Sequence, residues 1–369
     1  MQLFKEIISV NKQAEDFIQK IINKNPGFLC VLGNTETGKI PGISAAGANP
    51  TIIDYTPPAD LEFLYYGECK SIPGVPMTPD GIPTPAIITL AAKIIADIPI
   101  FGVNGGLRAL PISPYIELGG SPGENIQNGA SLSNVRSVFE RAMVIGKNFS
   151  KAFDYLVIGE SIAGGTTTAL AVMMAMGINA SGKVSSSMAF NPHDLKNEII
   201  KTAFKNLKLK QGSLKNDPLK AIELVGDPIQ PACAGLTIGA ANKIPVILAG
   251  GTQMAAVTSI ISALDESILE NIAIGTTRWL IEDQSSDLQG LIKEIREIPI
   301  LASNLNFNLF REPGLRAYEK GIVKEGVGAG GISISAILKS GGKITLDDIY
   351  GAILKIYKNF KKKIKQIKS

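Results

Sequence analysis

Residues 155–177 read YLVIGESIAGGTTTALAVMMAMG. The first six residues form an apolar run of the length of a strand, and this run ends at Glu160. A loop rich in Gly and Thr follows it, and the loop passes into an apolar helix. The stretch therefore predicts a strand, a loop and a helix in the order of a βα unit.

The same pattern recurs on both sides of this unit. Short apolar runs predict further strands at 28–32, 51–55, 98–104, 245–251, 271–277 and 299–304. The last three of these runs end in Gly, Ser, Thr or Asn residues and lead towards helices. Strands that alternate with helices indicate a mostly parallel, Rossmann-like sheet flanked by helices, an α/β fold. Ligands of such sheets bind beyond the carboxyl ends of the strands, which is where these loops lie.

The two ends of the chain predict amphipathic helices. Apolar residues from Leu3 to Ile22 recur at spacings of three, four and seven, and the C-terminal segment carries Ile and aromatic residues on one face and Lys on the other. We expect a smaller helical subdomain formed by residues 1–25 and 340–369, beside an α/β catalytic domain at 26–339. The Lys-rich face is typical of a solvated docking helix, and a membrane-surface role or an acidic partner is the alternative.

The composition is that of a globular protein, with 45% apolar and 19% charged residues. The net charge of +4 lies largely in the last fifteen residues, so nucleic acid is not an expected partner. Three scattered cysteines fit a reducing compartment better than a disulfide framework. The sequence shows neither a signal peptide nor an apolar run long enough to cross a membrane. We therefore expect a soluble cytoplasmic protein that does not bind membranes.

A single histidine, His193, stands in the loop-like segment NPHD. A Ser-His-Asp triad or a metal site with several histidines would have to be built around it, and a solvated or structural role is the better interpretation. No metal ligand set is predicted. Acid–base chemistry is then expected to fall mainly to carboxylates.

Three Gly-rich loops are candidate ligand sites. In the first, Glu160 ends a strand and the residues Gly164, Gly165, Thr166 and Thr167 open a helix, where free N–H groups and the helix dipole suit a phosphate. An ordinary helix cap is the alternative. A second loop, LAGGTQMAAV at 248–257, carries Gly250 and Gly251 and is either a ligand loop or a tight βα turn.

The third loop, KEGVGAGGISISAIL at 324–338, places Glu325 before Gly326 and Gly328. It superficially resembles a dinucleotide fingerprint, but a true fingerprint follows a buried strand, and the residues before this loop are polar. An irregular, Pro-rich segment at 67–86 is a further candidate, since long loops in compact domains are often functional. The sequence contains neither a P-loop nor the paired acids of phosphoribosyltransferases that use a diphosphate sugar.

Taken together, these segments resemble the nicotinate-nucleotide–dimethylbenzimidazole phosphoribosyltransferase family, and the whole chain is most similar to its archaeal-type branch. The resemblance rests on an ordered set of segments rather than on one motif: GENIQNGASLSNVRSVFERAMVIG at 123–146, IGESIAGGTTTAL at 158–170, ELVGDPIQPACAGLTIGAANKIPVILAGGTQMAAV at 223–257, and KEGVGAGG at 324–331.

The resemblance implies transfer of ribose 5-phosphate from nicotinate mononucleotide to a benzimidazole-type base during cobamide assembly, without a cofactor. Glu325 falls on the catalytic base of the family, in its Glu-Gly-x-Gly motif with Gly326 and Gly328. Glu160 falls on a second glutamate, to which we assign a supporting role. Phosphate contacts are expected from the loop at 164–167 and from Lys196, for which a solvated helix position is the alternative. Ser303 and Asn304 are weaker candidates for substrate contacts.

The chain departs from the family pattern at Ile162, Gly165 and Ala249, and its first third matches poorly. The acceptor therefore stays open among dimethylbenzimidazole, hydroxybenzimidazole and adenine. A homodimer is expected from the resemblance alone. Two other functions remain as alternatives, namely a non-catalytic nucleotide-binding protein on the same fold and an NAD-dependent dehydrogenase.

Overall fold

The computed structural model describes residues 4–45, 50–72, 77–78 and 80–368. Within these ranges one sheet contains the strands Ile7–Ser9 (β1), Pro26–Gly33 (β2), Ile100–Gly106 (β3), Tyr115–Glu117 (β4), Tyr155–Ser161 (β5), Val246–Ala249 (β6), Ile272–Thr277 (β7) and Ile300–Ser303 (β8).

The strands are connected by α-helices that lie on both faces of the sheet. Their bounds are Gln13–Ile21 (α1), Pro50–Ile53 (α2), Thr56–Tyr66 (α3), Ala86–Ala96 (α4), Val135–Phe149 (α5), Gly165–Ala175 (α6), His193–Leu207 (α7), Pro218–Val225 (α8), Ile229–Ala241 (α9), Thr252–Leu264 (α10), Arg278–Ile281 (α11), Leu288–Ile295 (α12), Pro313–Arg316 (α13), Ala329–Lys339 (α14) and Leu346–Lys368 (α15).

The strand order is β1-β8-β7-β6-β5-β2-β3-β4. Every neighbouring pair is parallel except β1 and β8, which run antiparallel at one edge. The predicted mostly parallel sheet flanked by helices is therefore confirmed. The strand β5, from which the prediction started, lies between β6 and β2 near the middle of the sheet.

Side chains of the strands alternate between two cores because successive residues of a strand point to opposite faces. In β2, Leu29 and Val31 pack into the core under α5, α6 and α8 to α10. Phe28 and Cys30 pack into the other core, which is covered by α1, α3, α4, α14 and α15. Both faces are buried, which explains why the strands are continuous apolar runs rather than alternating ones.

Two sequence-based assignments are wrong. The run at 51–55 was expected to be a strand that Pro57 and Pro58 end, but it contains the short helix α2, and the two prolines lie in the first turn of α3. Proline is well tolerated there because the first N–H groups of a helix have no partner within the helix. The N-terminal helix is also shorter than expected, since Ile7–Ser9 forms a strand that supplies the antiparallel edge and α1 begins only at Gln13.

The division into a helical subdomain and a catalytic domain stays a prediction. The segment 1–25 supplies β1 and α1, and α15 packs against α4. Of the Pro-rich segment 67–86, residues 73–76 and 79 lie outside the described residues, and the rest forms neither helix nor strand up to Pro85. In the part of the chain that the structure describes, no helix is long and apolar enough to cross a membrane.

Candidate active site

A cavity of about 340 Å3 lies beyond the carboxyl ends of β5 and β6, where a parallel sheet is expected to bind its ligand. Part of its wall comes from α2, α3 and the Pro-rich segment. The residues predicted from the sequence that line it are Glu160, Gly164, Gly165, Thr166, Gly251, Glu325 and Gly326. Loops that are far apart in the sequence thus meet at one place.

Glu160 occupies the end of β5 and is almost fully buried. Its Oε1 accepts a hydrogen bond of 3.0 Å from the side-chain amide of Gln253. Burial, together with the negative charges of Asp227, Glu325 and Asp60, raises the pKa of Glu160 to about 8. The carboxyl is therefore mostly protonated at pH 7 in the free protein, and a cationic ligand beside it would favour its ionised form.

Glu325 lies on the loop before α14, with its carboxylate turned back over the start of that helix. Its Oε1 accepts hydrogen bonds from the N–H groups of Gly326 (3.0 Å) and Gly330 (3.3 Å), and its Oε2 accepts one from Thr276 Oγ1 (3.3 Å). Burial raises the pKa of Glu325 to about 7, against the lowering effect of these hydrogen bonds. A carboxylate with a pKa near the working pH is suited to act as a general base.

In the loop that carries Glu325, hydrogen bonds fix both the N–H and the carbonyl group of Val327. The N–H of Val327 donates to the carbonyl oxygen of Glu160 (2.9 Å), and Thr89 Oγ1 of α4 donates to the carbonyl oxygen of Val327 (2.8 Å). Val327 adopts a left-handed backbone with φ of 53°, which is unusual for a β-branched residue. Such a conformation persists where surrounding contacts over-determine it, as these two hydrogen bonds do.

A polar end of the cavity is formed where the loop after β5 begins α6. Gly164, with φ of 80°, turns the chain into α6, and Thr166 lies in the first turn of that helix. The buried ammonium of Lys196, on α7, donates to Thr166 Oγ1 (3.0 Å) and to the carbonyl oxygen of Ser185 (2.6 Å). Burial, together with the neighbouring charge of Lys324, lowers the pKa of Lys196 to about 7. A cation bonded only to neutral oxygens beside a helix N-terminus is suited to an anionic ligand.

Lys324, which precedes Glu325, is a buried cation in the lining of the cavity, whereas Lys196 contacts Thr166 from outside that lining. Its ammonium lies 2.8 Å from Asp283 Oδ2. Burial raises the pKa of Asp283, but the hydrogen bonds from Lys324 and Ser285 outweigh it and hold the pKa at about 2. The polar end thus holds one lysine in an ion pair and one, Lys196, whose hydrogen bonds go to uncharged groups.

Several predicted site residues do not line the cavity. The N–H of Gly250 donates to Gly275 O (2.9 Å), the N–H of Asn304 donates to Glu6 O (2.8 Å), and Ser303 Oγ donates to Thr276 O (3.5 Å). These contacts hold the strand ends together. Thr167 and Gly328 are also buried, and a Cβ at Gly328 would meet the ring of Phe28. Substrate contacts by these five residues receive no support from the geometry.

The sequence-based interpretation missed Asp60, which lies on α3 and is 2% exposed. Asp60 accepts hydrogen bonds from Ser161 Oγ (2.8 Å) and Thr84 Oγ1 (2.9 Å), and burial raises its pKa to about 6. The two acids Asp60 and Glu62 inside the otherwise apolar run PPADLEFLYY were a usable signal, but the strand wrongly assigned at 51–55 left α3 unrecognised.

Two other sequence-based expectations concern Gly-rich and histidine motifs. GVGAGG follows a loop after a 3-10 turn at Ala317–Lys320, not a strand, so the structural context of a dinucleotide fingerprint is not met. His193 opens α7, and its Nε2 lies 2.8 Å from the carbonyl oxygen of Ser285. In the described ranges, no three or more His, Cys, Asp or Glu residues are arranged to hold a metal ion.

Comparisons with known proteins agree with this arrangement. A family model described as phosphoribosyltransferase matches residues 85–279. A UPF0284 protein of Sulfolobus acidocaldarius is 43% identical over 348 residues, which are 93% of this chain and 98% of the relative. A UPF0284 protein of Archaeoglobus fulgidus is 47% identical over 308 residues, which are 83% of this chain and 86% of the relative.

Two solved structures from Thermus thermophilus have a similar fold. One is titled CobT and matches with a TM-score of 0.58 and 16% identity over 86% of this chain and 83% of its own. The other is titled as a nicotinate-nucleotide–dimethylbenzimidazole phosphoribosyltransferase and matches with a TM-score of 0.58 and 15% identity over 92% of each chain. At such low identity the likeness concerns the fold alone.

Proposed function

This chain belongs to the nicotinate-nucleotide–dimethylbenzimidazole phosphoribosyltransferase family, in its archaeal-type branch, and from that premise we propose a specific reaction. The protein transfers ribose 5-phosphate from nicotinate mononucleotide to a benzimidazole-type base. The products are nicotinate and α-ribazole 5′-phosphate or its analogue. The observation that supports this proposal most directly is that Glu160 and Glu325 line the same cavity as Lys324 and the first turn of α6.

The polar end is assigned to the 5′-phosphate of the donor. The first turn of α6 offers N–H groups at Gly165 and Thr166. Lys324 supplies positive charge in the lining of the cavity, and Lys196 supplies it from outside that lining, through its contact with Thr166. A phosphate dianion there would raise the lowered pKa of Lys196 by favouring its charged form. Binding at this end leaves C1′ of the ribose directed towards the carboxylates.

The chemical step exchanges one C–N bond for another at C1′. The bond between C1′ and the pyridinium nitrogen breaks with its electron pair, which leaves neutral pyridine nitrogen in nicotinate. A ring nitrogen of the incoming base forms the new bond to C1′, and the N–H proton of that base passes to Glu325. Glu160, ionised when positive charge develops on the ribose, stabilises that charge at short range.

The experiment for this proposal is a product assay with the purified full-length chain. Nicotinate mononucleotide is mixed in turn with dimethylbenzimidazole, hydroxybenzimidazole and adenine, and nicotinate release is followed by chromatography. We expect release only when a base is present, together with one ribotide peak. Release of no nicotinate with any of the bases would contradict the proposal and favour a nucleotide-binding role without turnover.

Two further properties belong to the same proposal. These are a homodimer, expected from the family resemblance, and a cytoplasmic location, expected from the composition. Small-molecule substrates, and the lack of a nucleic-acid or membrane partner, also stay expectations. Sedimentation equilibrium of the purified chain tests the first, and a monomer at micromolar concentration would contradict it.

A further inference from the structure

Asp60 stands in the part of the cavity that the phosphate and the ribose do not use. It projects from α3, accepts a hydrogen bond from Ser161 at the end of β5, and lines the cavity. The α2, α3 and Pro-rich segments that supply this wall contribute the apolar residues Ile52, Ala59, Ile72, Met77 and Pro85, together with Thr56, Thr78 and Thr84. A flat aromatic base fits such a wall, so this end is where the acceptor of the proposed reaction would lie.

The carboxylate of Asp60 is only partly satisfied by its protein partners. Thr84 Oγ1 donates to one oxygen at 2.9 Å and Ser161 Oγ donates to the other at 2.8 Å. Within the described residues these two neutral hydroxyls are its hydrogen-bond donors, and no cation pairs with it. A carboxylate has about four acceptor positions, so each oxygen retains capacity for a further donor.

A base that carries only methyl groups would leave this carboxylate poorly solvated. An apolar substituent packed against Asp60 excludes water from the carboxylate and donates no hydrogen bond in its place. Such a loss is costly for a charged group. A hydroxyl or amino group at the same place would donate to Asp60 and remove that cost. Sites built to hydrogen-bond a substrate group discriminate strongly against analogues that lack it.

We propose that Asp60 determines the acceptor, and that the protein selects aromatic bases with a hydroxyl or amino donor on the ring edge facing α3 over bases with methyl groups there. This inference rests on the proposed transfer to an aromatic base. The shared chemistry is a hydrogen-bond donor, which hydroxybenzimidazole, aminobenzimidazole and adenine each provide in a different form.

The test combines binding and turnover with the full-length chain. Calorimetric titration gives the affinity for 5-hydroxybenzimidazole, 5-aminobenzimidazole, adenine and 5,6-dimethylbenzimidazole, and nicotinate release gives kcat/KM for each. We expect at least one donor-bearing base to exceed dimethylbenzimidazole by about ten-fold or more in both quantities. The base that does so identifies whether the donor is a hydroxyl, an exocyclic amine or the edge of a purine.

Two variants and one matched control locate the selectivity. Asp60→Asn keeps the size and the hydroxyl partners, and Asp60→Leu removes the acceptor atoms. In both variants we expect the preference for donor-bearing bases over dimethylbenzimidazole to fall to within about three-fold. Asp227→Asn is the control, because Asp227 is equally buried, has the same raised pKa of about 6 and accepts from a threonine hydroxyl, but does not line the cavity. In Asp227→Asn, the ratio of kcat/KM between a donor-bearing base and dimethylbenzimidazole should match that of the unaltered chain.

The outcomes separate this inference from the proposed reaction. Equal or better use of dimethylbenzimidazole by the unaltered chain, or an unchanged ratio in both Asp60 variants, would overturn the role of Asp60 and leave the transferase standing. Selective binding without nicotinate release would support Asp60 and count against the reaction. Binding of none of the four bases would overturn the role of Asp60.

Discussion

The N–H of Val327 donates a hydrogen bond of 2.9 Å to the carbonyl oxygen of Glu160. This bond joins the end of the central strand β5 to the loop that carries Glu325, so the two candidate catalytic carboxylates are set relative to each other through backbone. Val327 sits in a left-handed conformation that the loop could not keep without such contacts. The relative position of the two carboxylates therefore depends on hydrogen bonds to the backbone of Val327, one of which comes from Thr89, outside the cavity lining.

Thr89→Val tests that dependence. Thr89 is fully buried on α4, and its Oγ1 donates to the carbonyl oxygen of Val327 at 2.8 Å. The substitution keeps the shape and removes the donor, so we expect the free energy of unfolding to fall by about 1–3 kcal/mol. We also expect kcat to fall while KM for nicotinate mononucleotide changes little, because Glu325 loses its fixed position.

Thr237→Val is the matched control for this change. Thr237 is equally buried, but its hydroxyl donates to the carbonyl of Cys233 inside the helix α9, far from the loop. We expect Thr237→Val to lower kcat less than Thr89→Val does. Urea unfolding measures the loss of stability in each variant, so that the two can be compared at a similar loss. Equal effects of the two variants on kcat would remove the positioning role of Thr89.

Glu325→Gln tests the assignment of the general base. The amide keeps the size of the side chain but cannot take the proton of the incoming base, and positioned general bases contribute about 10²–10⁴-fold. We expect kcat to fall by that order, with the affinity for nicotinate mononucleotide within a few-fold, measured by steady-state nicotinate release and by calorimetry. Glu140→Gln, at an exposed position of α5, is the control and should keep full activity. A fully active Glu325→Gln would show that another group accepts the proton.

The sequence predicts the sheet well because its strands are buried on both faces and therefore appear as uninterrupted apolar runs. The wrong assignments lie where this reasoning does not apply. Residues 51–53 are β-branched, yet they lie in the short helix α2, and two prolines follow in the first turn of α3. The edge strand β1 is only three residues long, and its pairing with β8 is a tertiary contact that helical spacing within residues 3–22 cannot reveal.

The candidate site was predicted in part. Residues that follow a strand or open a helix, such as Glu160 and Thr166, could be found because local pattern and the carboxyl-end rule agree. Asp60 could not be placed, since it reaches the cavity only through the packing of α3 beside Ser161, 101 positions further along the chain. Ser303 resembles a site residue by its place after a strand, but its hydroxyl donates back into the sheet.

Lys196→Met tests the phosphate end. The ammonium contacts the first turn of α6 through Thr166, and Met fills a similar volume without charge. We expect KM for nicotinate mononucleotide to rise at least ten-fold with kcat within a few-fold, because a contact shared by ground and transition states contributes to both equally. Lys201→Met, exposed on the same helix, is the control. An unchanged KM in Lys196→Met would place the phosphate elsewhere.

The buried acids predict how stability depends on pH. Burial raises the pKa of Glu160 to about 8, that of Glu325 to about 7, and that of Asp60 to about 6. Unfolded carboxyls ionise near pH 4, so between pH 5 and 7 the folded chain holds more protons than the unfolded chain, and the free energy of unfolding falls as the pH rises. The pKa of Lys196 is lowered to about 7, so above pH 7 the folded chain holds fewer protons on this lysine than the unfolded chain does. Lys196 therefore makes the free energy of unfolding rise with pH, but only above pH 7.

Glu160→Gln should weaken this dependence. The amide keeps an acceptor for Gln253 and cannot ionise, so the variant should lose less stability than the unaltered chain between pH 5 and 7. At pH 7 we expect the free energy of unfolding of the variant to exceed that of the unaltered chain by on the order of 2 kcal/mol. The reason is that the unaltered chain must either keep Glu160 protonated above its ordinary pKa or bury its negative charge. Urea unfolding at pH 5, 6 and 7 measures both effects, with Glu140→Gln as the exposed control. A variant with the same slope as the unaltered chain, and no gain at pH 7, would show that Glu160 is not the acid whose titration weakens the fold.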